Sequence, residues 1–257
     1  MNIFKELYQY RELLKTNVKK EIRGKYKGSW LGVLWTFLNP LLQLAVYSFV
    51  FPYILRIQVE NYTIFMMVAL VPWTFFTTAV QNGSVSIIGE AGIIKKVYFP
   101  REIIPVSVVI SALVNFLITC IIMFLFIIFS GVGFSWHIVL FPLIVIIQTI
   151  FTLAFTFVLS ALTVYIQDVA HFVSIILMLL FYATPIVYSL DMLPAKFQTI
   201  MKLNPMALAI DTYRDILFYH KNPNYSELGI LAILSVIGLI VGYEIFKKLK
   251  RNFAEEL

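Results

Sequence analysis

Charge is scarce in this sequence: 13% of its 257 residues are Asp, Glu, Lys or Arg, while 60% are hydrophobic, where a water-soluble domain carries roughly 25% charged residues. The solvent for most of the folded surface is therefore hydrocarbon. Cysteine is nearly absent. Cys120 stands alone in an apolar run, which excludes an intrachain disulfide and a thiolate metal cluster and leaves it as a small packing residue. The sequence also lacks a Gly-rich phosphate loop closing on Lys and Ser or Thr, an H-E-x-x-H pair and a G-x-S-x-G turn, so the residues for ATP hydrolysis, zinc hydrolysis or serine-esterase chemistry are missing. His137, His171 and His220 fall at the ends of apolar runs or in a connection, and neither a metal site nor a catalytic residue is assigned. The opening stretch has charges throughout and no apolar core before a cleavage site, unlike a signal peptide.

What is abundant is long apolar runs. A spanning helix needs about 20 apolar residues to cross about 30 Å of hydrocarbon, and such runs lie near residues 34–55, 63–83, 103–130, 138–166, 172–190 and 228–246. The expected fold is an all-α integral membrane protein with six transmembrane helices, in one domain over residues 1–257. Eight Lys and Arg residues fall in residues 1–30, three (Lys95, Lys96, Arg101) follow the second run and four lie in the tail 247–257. With six spans these share one side, and the positive-inside rule places that side, with both termini, in the cytoplasm. These flanks account for most of the net charge of +6, so its natural partner is the anionic leaflet and not nucleic acid.

Three segments outside the runs have character of their own. Within residues 1–30, Ile3, Leu7, Tyr10, Leu14, Val18 and Ile22 recur every three or four residues, opposite Lys5, Glu12, Lys15, Lys19 and Arg23. This predicts an amphipathic helix in the headgroup layer. Ser84 to Pro100 is too polar to span and too apolar for a free linker; it predicts a short helix against a cytoplasmic partner, or an interfacial loop. Residues 191–226, after the block 31–190 that holds runs one to five, form the longest break. There Asn204-Pro205 reads as a helix cap followed by proline at the first helical position, and Met206, Ile210, Tyr213 and Leu217 form an apolar stripe. Short external helices are expected before the last span.

No apolar run carries an acid in its interior: Glu102, Asp168 and Glu244 sit near ends, and Glu60, Glu90, Asp191, Asp211, Asp215 and Glu227 lie in connections. Transporters driven by ion gradients usually carry ionisable groups at mid-membrane, so a driving force, if needed, comes from elsewhere. Phe and Tyr are plentiful at 23 and 14. Trp73, Phe75 and Phe76, with Phe181 and Tyr182, serve either lipid contact and packing or a path for flat-faced sugar rings.

Particular strings narrow the class further. Arg23 to Trp35 (RGKYKGSWLGVLW), followed by Asn39-Pro40-Leu41, then Pro72-Trp73-Thr74-Phe75-Phe76, Thr184-Pro185-Ile186-Val187-Tyr188 and Leu203-Asn204-Pro205, resemble in order the marks of ABC-2-type permeases that export polysaccharides and polyol phosphates. The resemblance implies a homodimer bound to two copies of a separate nucleotide-binding subunit, with ATP and Mg on that partner and no cofactor on this chain. It implies transport of a lipid-linked O-antigen, teichoic acid or capsule polymer across the bacterial cytoplasmic membrane. The roles it implies are ATPase contact at residues 1–27 and at Gly89, Glu90, Gly92, Lys95 and Lys96, and an outer gate at Met206, Ile210, Tyr213 and Leu217. Arg23, Lys25 and Lys27 stand where a lipid-linked phosphate would meet the membrane surface, or serve only as topology charges. One departure is Tyr165-Ile166-Gln167-Asp168, where many members have an aromatic-Arg-Asp string, and a role needing that arginine is in doubt. An ABC-2 exporter of a small drug or lipid stays open as an alternative, and behind it a membrane-embedded glycan-processing enzyme.

The orientation is testable. In a Cys120→Ala background, a cysteine at Lys15 is expected to resist an impermeant thiol label in intact cells and to react after permeabilisation. Labelling of intact cells would invert the topology.

Overall fold

A computed structural model of the chain describes residues 3–24, 28–54 and 59–257; Lys25 and Lys27 lie outside them. Among the described residues every regular element is helical. The amphipathic segment forms α1 (Ile3–Gln9) and α2 (Arg11–Gly24). On α2 the expected apolar positions Leu14, Val18 and Ile22 are half-buried, and Lys15, Lys19 and Arg23 are exposed. The first apolar run becomes α3 (Trp35–Phe49), continued by a π-helical turn over Val50–Ile54. The second becomes α4 (Tyr62–Ser84), followed by the short helices α5 (Ser86–Gly89) and α6 (Ala91–Ile94). Then come α7 (Ile103–Phe129), α8 (Phe141–Tyr165) and α9 (Asp168–Tyr182). The long break holds α10 (Ala195–Met201) and α11 (Pro205–Leu217), and the chain closes with α12 (Tyr225–Leu249) and α13 (Phe253–Glu256).

Four helical stretches are long and apolar enough to cross a membrane: Tyr62–Ser84, Ile103–Phe129, Trp136–Tyr165 and Tyr225–Glu256. The first and fifth expected spans are shorter. α3 and α9 have 15 residues each, and 15 residues rise only about 22 Å. In the fifth run the reason is local. The residue before a proline is pushed out of the α region, so Thr184 before Pro185 halts α9, and the rest of the run continues as irregular chain.

α4 is the axis of the bundle. It is mostly apolar, with Thr74, Thr78 and Asn82 along one face, and nearly all of its length from Ile64 to Val80 is buried, as expected of a helix enclosed by others. α3, α7, α8, α9 and α11 pack around it. The most extensive helix pair is α8 with α12, and small residues set its closeness: a Cβ on Gly242 would lie 2.6 Å from the carbonyl oxygen of Ala154, and one on Gly238 3.5 Å from the Ala154 Cβ. Backbones this close gain dispersion and polar contact that lipid tails cannot supply. Outward faces carry exposed Ile121, Ile128, Ile175, Leu179, Ile233 and Ile240, a surface suited to lipid and costly in water.

The end of the bundle that holds both termini has its own apolar cluster, in which Ile87 and Ile94 meet Phe157, Phe246 and Phe253. Beside it the buried Glu102 carboxylate pairs with Lys250, and Arg101 donates to the Lys250 carbonyl oxygen, tying the start of α7 to the end of α12.

Gly242→Leu is expected to overpack the α8–α12 contact and to destabilise the detergent-solubilised chain by about 1–3 kcal/mol. Gly229→Ala, on the same helix with open space around it, should be neutral or slightly stabilising because Ala is the better helix former. Thermal aggregation midpoints of the two variants check this.

Candidate functional site

The segment from the close of α9 to α11 is built around a broken helix. From Ala183 to Tyr188 no helical ladder remains, yet Thr184 and Ile186 are fully buried, and backbone carbonyls inside a membrane protein must find donors. They do. The buried Arg214 guanidinium of α11 donates to Pro185 O at 2.5 Å, Ile186 O at 2.6 Å and Tyr188 O at 3.1 Å. Tyr62 Oη donates to Val187 O at 2.8 Å, Ile186 N to Thr184 O at 2.7 Å, and Asn204 Nδ2 to Ala183 O at 3.3 Å and Thr184 Oγ1 at 2.8 Å. Below the guanidinium lies the Phe65 ring, 3.5 Å from the Arg214 Cζ to the centroid, a cation–π contact in a desolvated place.

This arrangement seats α11 in the bundle. Asn204 Oδ1 accepts from Met206 N at 3.0 Å, the expected cap, and Pro205 follows at the first helical position. Met206, Ile210, Tyr213 and Leu217 are all buried, at 2% exposure or less. Tyr213 Oη also donates to Gln148 Oε1 at 2.8 Å, and Gln148 Nε2 donates to Pro72 O at 2.8 Å. α11, α8 and α4 are thus joined by one buried polar chain. On its solvent side α11 borders a cavity of about 200 Å³ lined by Asp191, Lys202, Asp211, Asp215, Lys221 and Glu227. Lys202 pairs with Glu227 at 2.8 Å and Lys221 with Asp215 at 3.2 Å. Burial pushes the Asp211 carboxyl up to about 7, against the pull of Arg214 and with the help of Asp215 and Glu227.

A second feature lies toward the other end. Two adjoining cavities of about 160 and 500 Å³ share Thr78, Ala112 and Asn115 and form one groove between α2, α3, α4 and α7. α4 contributes Thr74, Thr78 and Asn82, and α7 contributes Asn115 with Ser111 and Thr119, each set at i, i+4, i+8 and so on one helix face. α3 adds Asn39 and Gln43 at the same spacing. Ser111 to Thr119 covers about 12 Å of helix axis. Among the described residues the side-chain amides of Asn39, Asn82 and Asn115 make no hydrogen bond, while Gln43 donates to Tyr47 Oη at 3.1 Å. The groove's mouth holds Lys20, Glu21 and Gly24 of α2 with Gly89 and Glu90. There Lys20 Nζ and Glu90 Oε1 form an ion pair at 2.5 Å. Burial raises the Glu21 carboxyl above its ordinary range, with a further push from Glu90.

The residues singled out from sequence divide accordingly. Gly89, Glu90 and Gly92 come together at the tip of α5 and α6, with Lys95 and Lys96 exposed beside them, and Arg23 is exposed on α2 near the mouth. Of the aromatics, Phe75 lines the groove, against Phe116 at 5.1 Å. Trp73, Phe76 and Phe181 are buried in the core, where Trp73 meets Phe76 at 5.9 Å and Phe181 at 6.0 Å; Tyr182 is exposed. Arg214, Gln148 and the neutral polar faces of α4 and α7 were missed. The four-residue repeat Thr74, Thr78, Asn82 beside Ser111, Asn115, Thr119 was the available signal.

Comparison with known proteins agrees with this architecture. The chain matches the sequence model of the ABC-2 type transporter family over residues 12–218. It is 39% identical to the O-antigen export system permease protein RfbA of Myxococcus xanthus over the whole of both chains. A protein of the same name from Klebsiella pneumoniae is 42% identical over 96% of this chain and 95% of its own.

Two outcomes follow for the segment around α11. Arg214→Met leaves the buried carbonyls of Pro185 and Ile186 without their donor, and at about 1–3 kcal/mol for each unsatisfied group thermal stability should fall by ~2 kcal/mol or more. For Asp211 the ordinary pKa is 3.8 and the folded one about 7, so the unfolded chain ionises first. The stability tied to the neutral carboxyl drains away as pH rises through that interval. Asp211→Asn should therefore show a flatter stability profile than the parent chain from the ordinary carboxylate range to neutrality, read by thermal melts across pH.

Proposed function

The chain belongs to the ABC-2 type transporter family, and from that membership we propose that it is the membrane-spanning subunit of an ATP-driven exporter. Its cargo in this reading is a lipid-linked polysaccharide of the O-antigen class, and its place the bacterial cytoplasmic membrane. The observation that carries the reading is the groove: hydroxyls and unpaired amides line it at membrane depth, and the carboxylates Glu21 and Glu90 are confined to its mouth. Amides both donate and accept, and so match a chain of sugar hydroxyls in any rotation. A groove with no acid at depth lacks the carboxylate that proton-driven transporters usually carry at mid-membrane.

The remaining roles follow from this reading. α3 with its π turn and α9 with its irregular continuation count as the first and fifth of six spans, both termini in the cytoplasm. Two copies of the chain pair, and each receives one nucleotide-binding subunit, which holds ATP and Mg. The tip formed by α5 and α6 receives that subunit's movement, and the Lys20–Glu90 pair hands it on to α2 and the groove mouth. Arg23, with Lys25 and Lys27, draws the lipid-linked phosphate to that mouth, and α11 with its buried stripe closes the outer end.

The test is polymer export in cells whose own copy is deleted. Asn115→Leu with Thr78→Val, which keeps the volume and removes the hydrogen bonds, should cut export at least tenfold while ATPase subunits still co-purify. Glu90→Arg sets like charge beside Lys20 and should lose coupling, and adding Lys20→Glu should restore part of it. Full export by the groove variant would remove the groove from the path. Lipid-linked polymer exported normally by the deletion strain would refute the function itself.

A further inference from the structure

At the end of the bundle that holds both termini, apart from the groove, α1, the connection 98–101 and the end of α12 close around a cavity of about 340 Å³. Its walls include Arg101, Lys250 and Arg251, the aromatic rings of Tyr10 and Tyr98, and one carboxylate, Glu6. Arg101 and Lys250 are already placed: Lys250 pairs with buried Glu102, and Arg101 donates one nitrogen to the Lys250 carbonyl, leaving the rest of its planar fork open to the cavity. Arg251 is exposed, with no hydrogen bond of its side chain among the described residues.

Arg251 also belongs to a second, shallower groove of about 640 Å³ along α12, lined by Ile240, Val241, Ile245 and Lys248 together with Glu244 and Lys247. Glu244 is occupied by Lys247 at 3.1 Å. Along this face Ile240, Val241 and Ile245 lie beside the Glu244–Lys247 ion pair, and Lys248 and Arg251 follow, all within about 16 Å of helix. A topology signal needs only cations near a span end. It does not need two arginines from elements 150 positions apart in sequence to share one half-open cavity with aromatic rings, beside a furrow that meets it at Arg251.

We propose that this corner binds an anionic glycerophospholipid, its phosphate between Arg101 and Arg251 and an acyl chain along Ile240, Val241 and Ile245. Guanidinium forks fit phosphate oxygens in pairs, and basic pockets beside spanning helices are suited to anionic headgroups. The bound lipid would brace the junction between α7 and α12 that Arg101, Glu102 and Lys250 already make. The site depends on the membrane setting of the chain and not on what is transported, so it stands or falls separately from the export reading.

Native mass spectrometry of the full-length chain, purified in neutral detergent and offered phosphatidylglycerol, phosphatidylcholine or inorganic pyrophosphate, tests it. The parent chain should retain phosphatidylglycerol in preference to phosphatidylcholine. Arg251→Gln, which removes an exposed side chain and leaves the fold untouched, should weaken that preference about fivefold, and Arg101→Gln with Arg251→Gln by on the order of twentyfold, given the attraction of one basic residue for an anionic surface. Lys196→Gln, one charge removed in the outer segment, should change nothing. An unchanged preference in Arg251→Gln and in the double variant would overturn the proposal. Displacement of the lipid by pyrophosphate at similar concentration would also overturn it, in favour of a site for free phosphate.

Discussion

The end of the bundle that holds α11 and the close of α9 depends on one guanidinium. Arg214 is 1% exposed, and burying a cation is tolerable only where it is surrounded by acceptors. Here the acceptors are carbonyls that would themselves be orphaned, because Pro185 stops α9 short and the chain from Ala183 to Tyr188 has no ladder of its own. Each partner removes the other's penalty. Their union fixes α11 against α4, buries its apolar stripe on all sides, and sets Tyr213 where it reaches Gln148. Phe65, packed under the guanidinium on α4, extends the same arrangement to the axis of the bundle.

Much of this was legible in the sequence, and the rest had physical reasons for being hidden. Apolar runs gave the membrane setting and most helices, since length and hydropathy are local properties. The Asn204-Pro205 start of α11 and its stripe were also readable, because a cap and a helical period need only near neighbours. The fifth span was overestimated in length: apolar content persists through residue 190, while helicity ends at Tyr182. Nothing near Thr184 indicates that a buried break is supported, for its donors come from Tyr62, Asn204 and Arg214. Arg214 itself read as one more flanking charge, because its acceptors lie 26 to 29 residues away.

The groove was hidden for a different reason. A search for ionisable groups at mid-membrane passes over Thr, Ser and Asn, which are individually ordinary in a spanning helix. Only when α4 and α7 are brought side by side do their repeats face one space. The aromatics show the converse. Trp73, Phe76 and Phe181 read as either packing or a ring-lined path; their bulk fills the interior between α4, α8 and α9, while Phe75 lines the groove with Trp35 and Phe116. Glu90 is likewise paired with a residue 70 positions away, Lys20 of α2, which no local sequence pattern indicates.

The polar chain from Tyr213 through Gln148 to Pro72 has a kinematic consequence. A flap hinged at its two ends swings on the nanosecond scale of loops, but α11 is fixed also at its middle, by Tyr213 to α8 and by Arg214 to the end of α9. It has no free rotation about its own axis, and lifting it drags two neighbouring helices. Any displacement of α11 is therefore a concerted shift of packed rods, which belongs to the microsecond-to-millisecond regime and proceeds between discrete packings.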